Sequence, residues 1–298
     1  MASQTQKAYQ ERVLRVLVHI QQHLDENLEL DELARIAHFS PYHFHRVFRG
    51  MVGEGVAEHV RRLRLERAAQ RLKFTDSPVT HVALDAGYET HEAFTRAFRG
   101  MFGEPPSRFR EVHQALPQAV APSGVHYSPE GSVDAFNPIE KGADVMDVRI
   151  EKIEPKRVAF MRHVGPYQEV GATWQRMMQF AGMRGLFGPH TMCMGLCHDD
   201  PEVTPPDKIR YDVCLAVRDD FQPEGDVGVQ EVFGGEYAVT RMHGPYEQLA
   251  QLYAELCGQW LPANGREPRS APTVEVYHNS PQDTPPDKLV TDVYVPVK

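Results

Sequence analysis

Leu33-Ala34-Arg35-Ile36-Ala37-His38-Phe39-Ser40-Pro41-Tyr42-His43-Phe44-His45-Arg46-Val47-Phe48 reads as a short helix, a tight turn and a second helix. Ala34 and Ala37 are small enough to let two helices cross closely. Ser40 is a favoured N-cap, and Pro41 fits the first helical position, where no backbone donor is needed. After the cap, Phe44, Val47 and Phe48 recur at helical spacing and are predicted to face inward. Tyr42, His45, Arg46 and Arg49 then point outward. A helix held by its neighbour and presenting aromatic, imidazole and guanidinium groups has the form of a major-groove reader.

The pattern returns about fifty residues on. Val82-Ala83, Ala86-Gly87-Tyr88 and Thr90-His91-Glu92-Ala93-Phe94-Thr95-Arg96-Ala97-Phe98 repeat the small-residue turn, the cap and the apolar face. The tails match almost letter for letter, Phe48-Arg49-Gly50-Met51-Val52-Gly53-Glu54 against Phe98-Arg99-Gly100-Met101-Phe102-Gly103-Glu104. This doubled helix-turn-helix resembles the AraC/XylS family of transcription regulators over residues 8 to 112, including the ending Pro105-Pro106-Ser107-Arg108-Phe109-Arg110. The resemblance implies DNA-reading positions at Tyr42, His45 and Arg46 in the first unit, and at His91, Glu92, Thr95 and Arg96 in the second. Arg46 and Arg96 suit bidentate contact to guanine or a grip on phosphate, the second of which positions without specifying. Glu92 suits either a cytosine amine or the helix dipole. Tyr42 stands where the family pattern carries tryptophan, and His45 where it carries glutamine.

The chain of 298 residues is long enough for two domains. Its net charge of −9 is unevenly spread. Residues 1–112 hold 16 Lys and Arg against 15 Asp and Glu, whereas residues 113–298 hold 16 against 26. The acidic excess therefore belongs to the second half, and DNA binding by the first half must rest on the placement of charge. No apolar run reaches the length of a membrane span, no secretory signal opens the chain, and four cysteines make no disulfide framework. A cytoplasmic location without membrane attachment is the expectation.

Tyr9, Val13, Val16, Leu17, Ile20 and Leu24 give an amphipathic first helix, and residues 56–72 a long helix between the two units. Arg61, Arg62, Arg64, Arg67 and Arg71 on that helix suit phosphate contacts or a solvated charged face equally. Residues 113–145 carry Pro117, Pro122, Gly124, Pro129, Gly131, Pro138 and Gly142 with little periodicity and read as a linker allowing loose coupling. Domains at 1–112 and 146–298 follow.

The second half is itself duplicated. Arg162-His163-Val164-Gly165-Pro166-Tyr167 recurs as Arg241-Met242-His243-Gly244-Pro245-Tyr246, and Thr204-Pro205-Pro206-Asp207-Lys208 as Thr284-Pro285-Pro286-Asp287-Lys288. Each unit reads as strand, Gly-Pro-Tyr turn, helix and two alternating strands. The expected architecture is an all-α double helix-turn-helix domain followed by an α+β domain of two tandem βαββ repeats, with pseudo-twofold symmetry and a central groove. Residues 146 to 298 resemble the GyrI-like effector-binding domain found behind AraC-type halves in Rob-type regulators.

Comparing the repeats isolates a ligand site. Met194-Gly195-Leu196-Cys197-His198 aligns with Val274-Glu275-Val276-Tyr277-His278. Met194, Leu196, Val274 and Val276 share one strand face and are predicted core. On the other face Glu275 replaces Gly195, and Tyr277 replaces Cys197. A lone carboxylate among apolar neighbours is costly unless paired. A cationic ligand would pair it, and the glycine opposite would leave room. Tyr277, Tyr211, Trp174 and Trp260 are candidates for the aromatic walls that cations favour; the GyrI-like resemblance also implies a central glutamate here. The alternative is an arginine of the chain itself pairing with Glu275. Asp212 and Asp292 recur in both repeats and read as structural, as do Tyr167 and Tyr246 at the turns.

Cys193, Cys197, His190 and His198 suggest a metal, but strand rise puts the two thiols about 13 Å apart, too far to share an ion. No phosphate loop, Ser/His/Asp order or zinc signature appears, so neither metal nor cofactor is expected. The first expectation is therefore a sequence-specific DNA-binding transcription regulator that senses a small hydrophobic cation and is not an enzyme. The resemblance favours an activator that contacts RNA polymerase. Two rivals remain: a C-terminal hydrolase with Glu275 as general base beside Tyr277 or Tyr211, and a ligand-free protein-interaction module.

Overall fold

The computed structural model describes residues 3–112, 119–139, 146–188 and 191–298, with Tyr42 described by its backbone alone. The first part is helical: α1 (Gln4–Gln22), α2 (Leu30–Ile36), α3 (Pro41–Val52), α4 (Val56–Phe74), α5 (Val79–Asp85), α6 (His91–Phe102) and α7 (Pro106–Val112). The second part is an α+β domain with strands β1 (Val148–Ile153), β2 (Lys156–Val164), β3 (Cys193–Cys197), β4 (Arg210–Ala216), β5 (Gly228–Val232), β6 (Gly235–His243), β7 (Thr273–Tyr277) and β8 (Val290–Pro296). Helices α8 (Val170–Met183) and α9 (Leu249–Glu255) lie between the strands in sequence, and α9 runs on through a π-helical turn, Leu256–Trp260. Among the described residues no helix is long and apolar enough to cross a membrane.

Packing divides the chain into two units that do not follow the sequence boundaries. One holds the described parts of 1–6, 40–50 and 141–298, and the other those of 7–39 and 51–140. Most of α3 thus belongs with the α+β domain.

In the helical unit the apolar spacing of α1 does what it predicts, with Tyr9, Val13, Val16, Leu17, Ile20 and Leu24 buried. Around α6, Phe94, Phe98, Phe102 and Phe109 interlock, Phe98 meeting Phe109 edge-on at 5.1 Å. Thr90 caps α6 by accepting from the Ala93 N–H at 3.1 Å. The arginines of α4 are neither a solvated face nor free for phosphate, with one exception. Arg62 is 4% exposed inside a network with Glu54, His59 and Glu66. Arg64 donates to the Leu24 and Glu26 carbonyls, while Arg67 and Arg71 reach Asp85. Arg61 is exposed. The segment read as a loose linker is irregular over 119–139, yet it is held down. Glu66 accepts from the Tyr127 N–H at 2.7 Å, and Ser123 and Val125 are buried.

The sheet order is β1-β6-β8-β7-β3-β4-β2-β5, with every pairing antiparallel. The tandem βαββ units are β2-α8-β3-β4 and β6-α9-β7-β8, and β3 meets β7 at the pseudo-twofold centre. The outer strands are exchanged: β1 precedes the first unit but pairs with β6, and β5 precedes the second but pairs with β2. Met194, Leu196, Val274 and Val276 lie in one core cluster, as alternation requires. Asp212 and Asp292 are structural in matching ways. Asp212 binds Arg162 and His198, and Asp292 binds Arg241 and His278. Burial would raise the Asp292 carboxyl, but Arg241 and His278 outweigh it and bring it down to about 2.

Candidate effector and DNA-reading sites

Glu275 sits on β7 directly across from Gly195 on β3, so the two positions that align between the repeats form a true cross-strand pair. It is 5% exposed. Its carboxylate accepts from the Tyr253 hydroxyl at 2.9 Å and from the Tyr277 hydroxyl. Tyr277 and Tyr211 share a hydrogen bond of 2.7 Å, which makes a Glu275–Tyr277–Tyr211 chain. Trp174 and Tyr246 meet the Tyr277 ring edge-on at 5.5 and 5.8 Å, and Tyr167 meets Tyr211 at 5.5 Å. Aromatic side chains therefore cluster around one carboxylate, two of them through their hydroxyls.

Among the described residues, no Lys or Arg forms an ion pair with Glu275; its carboxylate is bound by tyrosine hydroxyls in place of the alternative arginine partner. Burial, followed by the Glu275 charge, raises the hydroxyls of Tyr211, Tyr253 and Tyr277 well above their ordinary value and pushes Tyr246 up to about 12. The hydroxyls stay protonated and able to donate. The Cys197 thiol is raised by the same causes in the same order.

Two expectations about this site change. Glycine at 195 does not leave room for a ligand: a Cβ there would fall 2.0 Å from the Tyr211 hydroxyl, so the space belongs to Tyr211. Tyr167 and Tyr246 do more than fix turns, since their rings reach Tyr211 and Tyr277. Trp260 lies half-buried about two helical turns beyond Tyr253. No hydrogen bond or ring contact joins it to the Glu275 cluster among the described residues. Tyr253 escaped the sequence reading. Its signal was the repeat itself, because an offset of about eighty residues aligns it with Trp174.

The DNA-reading candidates separate into two groups. On α6, His91, Glu92 and Arg96 are exposed and Thr95 is half-buried, which leaves that face free to meet a duplex. On α3, the Tyr42 side chain lies outside the described residues. His45 and Arg46, expected outward, are only 2% and 7% exposed. His45 binds Asp200 at 3.0 Å, and Arg46 donates to the Thr273 hydroxyl at 3.1 Å while its guanidinium lies 3.8 Å over the Tyr253 ring. His43 donates to the Arg269 carbonyl at 3.0 Å, and Arg49 pairs with Glu202. The outward face of α3 is therefore spent on the α+β domain. The Ser40 hydroxyl, expected to cap α3, is buried without a hydrogen-bond partner among the described residues.

His45, Asp200 and Glu202 bring metal-ligating atoms within 4.8 Å of one another. Arg49 already supplies the positive charge at Glu202, and Arg46 lies near Asp200, so the donors are matched without an ion. His190 of the earlier metal set lies outside the described residues. Cys193 and Cys197 are free thiols at opposite ends of β3.

A GyrI-like small molecule binding domain model matches residues 146–298, and a helix-turn-helix domain model matches 33–111. The chain is 37% identical over 102 residues to the Bacillus subtilis HTH-type transcriptional regulator YbfP, covering 34% of this chain and 35% of that protein. It is 33% identical over 95 residues to the Escherichia coli right origin-binding protein, 32% of this chain and 33% of that one. Regulatory protein SoxS of Salmonella typhimurium is matched at 31% over 103 residues, 35% of this chain and 96% of SoxS. The chain thus spans about a third of the first two relatives and nearly all of the third. With one family model covering just over half of its length, the chain belongs to the GyrI-like small-molecule-binding family, carried behind an AraC-type helix-turn-helix region.

Proposed function

We propose that the protein is a DNA-binding transcription regulator whose GyrI-like domain takes a hydrophobic, cationic effector at Glu275. One observation carries the effector class: a buried carboxylate, ringed by tyrosine and tryptophan, with no ion pair of its own among the described residues. A buried charge without a counter-ion is expensive, and a cation supplied from outside lowers that cost. Tyr277, Tyr211 and Trp174 line the site; Tyr253, Tyr246 and Tyr167 join them, and Trp260 does not. Double-stranded DNA is the second partner, read by His91, Glu92, Thr95 and Arg96 and, once α3 is free, by Tyr42, His45 and Arg46. The reading places the protein in the cytoplasm with the DNA, as an activator working with RNA polymerase.

The Glu275–Tyr277–Tyr211 chain also suits hydrolysis, with the carboxylate as base and a protonated tyrosine as donor. Release of product from an electrophilic ester would favour that reading over stable binding.

The test is thermal unfolding of the full chain with tetraphenylphosphonium, using neutral triphenylphosphine oxide as control. At 100 times its dissociation constant the cation should stabilise by about 2.7 kcal/mol. Glu275→Gln should abolish the gain. Equal shifts with the neutral control, or in Glu275→Gln, would refute a cation site built on that carboxylate.

A further inference from the structure

Helix α3 is bound to the α+β domain more closely than side-chain contact alone provides. A Cβ on Gly50 would fall 2.0 Å from the Ala254 carbonyl oxygen, and one on Gly258 would fall 2.6 Å from the Gly50 Cα. Backbone meets backbone here, and only glycine allows it. Gln259 adds a hydrogen bond to the Gly50 carbonyl at 3.1 Å. At the equivalent residue in the second helix-turn-helix, Gly100, such a Cβ meets nothing within 4 Å among the described residues beyond its own helix. The glycine is common to both units, but only Gly50 is used to seat a recognition helix.

The seat brings one positive charge, which Asp200 also faces, to the Tyr253 ring beside the effector site. Arg46 lies on the face of Tyr253, and the hydroxyl of that same ring is bound to Glu275. Thr273, which accepts from Arg46, is two residues from Glu275 on β7. One aromatic side chain thus touches both the carboxylate of the effector site and the guanidinium of the DNA-reading helix.

We propose that Arg46 is a tethered stand-in for the effector: it supplies the positive charge that Tyr253 and Glu275 attract, and a hydrophobic cation entering the site displaces it and frees α3 to read DNA. This rests on the cation reading of Glu275. A second cation beside Tyr253 is a like charge in a buried place, where screening by water is weak. Seating of α3 and binding of the effector therefore oppose each other. By linkage, whatever unseats α3 strengthens cation binding by the same factor that the cation weakens the seat.

Calorimetric titration of the full chain with tetraphenylphosphonium tests this directly. Arg46→Gln removes the tethered charge and should bind the cation about tenfold more tightly, within the usual range of coupling between sites. Arg46→Lys keeps the charge and should stay near wild type. Gly258→Val, which unseats α3 without changing any charge, should reproduce the gain. In parallel, amide hydrogen exchange over residues 40–50 should quicken about tenfold with the cation and not with triphenylphosphine oxide, while residues 91–102 stay unchanged. A wild type that binds the cation, with Arg46→Gln no tighter and residues 40–50 equally protected, would overturn the stand-in and leave the cation site intact. No binding by either wild type or Arg46→Gln would remove the cation site and the stand-in together.

Discussion

Helices α3 and α6 end alike, Phe48-Arg49-Gly50-Met51 and Phe98-Arg99-Gly100-Met101, and have different surroundings. The apolar face is buried in both, with Phe44 and Phe48 matching Phe94 and Phe98. The polar face is buried on α3 and exposed on α6. Sequence duplication therefore conserves what a helix packs on its inner side and says little about what it meets on the outer. The turns before the two helices share one conformation with different residues. His38 holds a left-handed φ of 53° where the second unit has Gly87 at 82°.

The largest expected contrast is between the two glycines. Gly50→Ala puts a methyl into the Ala254 carbonyl and should cost about 1–3 kcal/mol, or unseat α3 outright. Gly100→Ala meets nothing among the described residues and should stabilise by about 0.5–1 kcal/mol through helix propensity. Urea melts of both variants decide it; equal effects would mean that Gly50 does not seat α3 against the Ala254 backbone.

The next contrast is in pH. Burial, followed by the Arg46 charge, lowers the His43 imidazole to about 3. The unfolded chain then takes up the proton first, at its ordinary value near 6.5. The His43 contribution is whole above pH 6.5 and is lost progressively as pH falls towards 3, at about 1.4 kcal/mol per pH unit. Unfolding followed through Trp174 and Trp260 fluorescence should show this slope in wild type. His43→Gln should flatten it. An unchanged slope would place the proton elsewhere, for example on buried His59, whose pKa is also lowered by burial.

The smallest contrast is at the caps. Thr90→Ala removes a made hydrogen bond and should cost about 1 kcal/mol. Ser40→Ala removes a buried hydroxyl that has no partner among the described residues and should be neutral or slightly stabilising. A loss at Ser40 equal to that at Thr90 would show that both serve as caps.

The two duplications were plain in the sequence because a repeat needs no physics to detect, only matching letters at a constant offset. From them followed the two βαββ units and the juxtaposition of Glu275 with Gly195. Other features were hidden for separable reasons. Tyr253 sits in a run, Leu249-Ala250-Gln251-Leu252-Tyr253, that reads as ordinary helix, and only its alignment with Trp174 marks it. Arg62 and Arg67 look like phosphate ligands because an arginine bound to Glu54 or Asp85 has the same letter as one bound to solvent. The seat of α3 could not be read at all. A polar helix face serves a base edge or a carboxylate such as Asp200 equally well, and the choice depends on partners more than a hundred residues away.

The exchanged outer strands have a consequence for symmetry. Because β1 completes the second repeat and β5 the first, neither repeat closes its sheet alone. Two identical copies of one repeat would rebuild the same eight strands, but position 195 and position 275 would then have to be alike. With glutamate at both, two carboxylates would stand side by side across the β3–β7 pair, which like charges disfavour. With glycine at both, there would be no charge at all. Joining the repeats in one chain is what permits a single carboxylate at the centre, so an off-balance charge sits on an otherwise balanced scaffold.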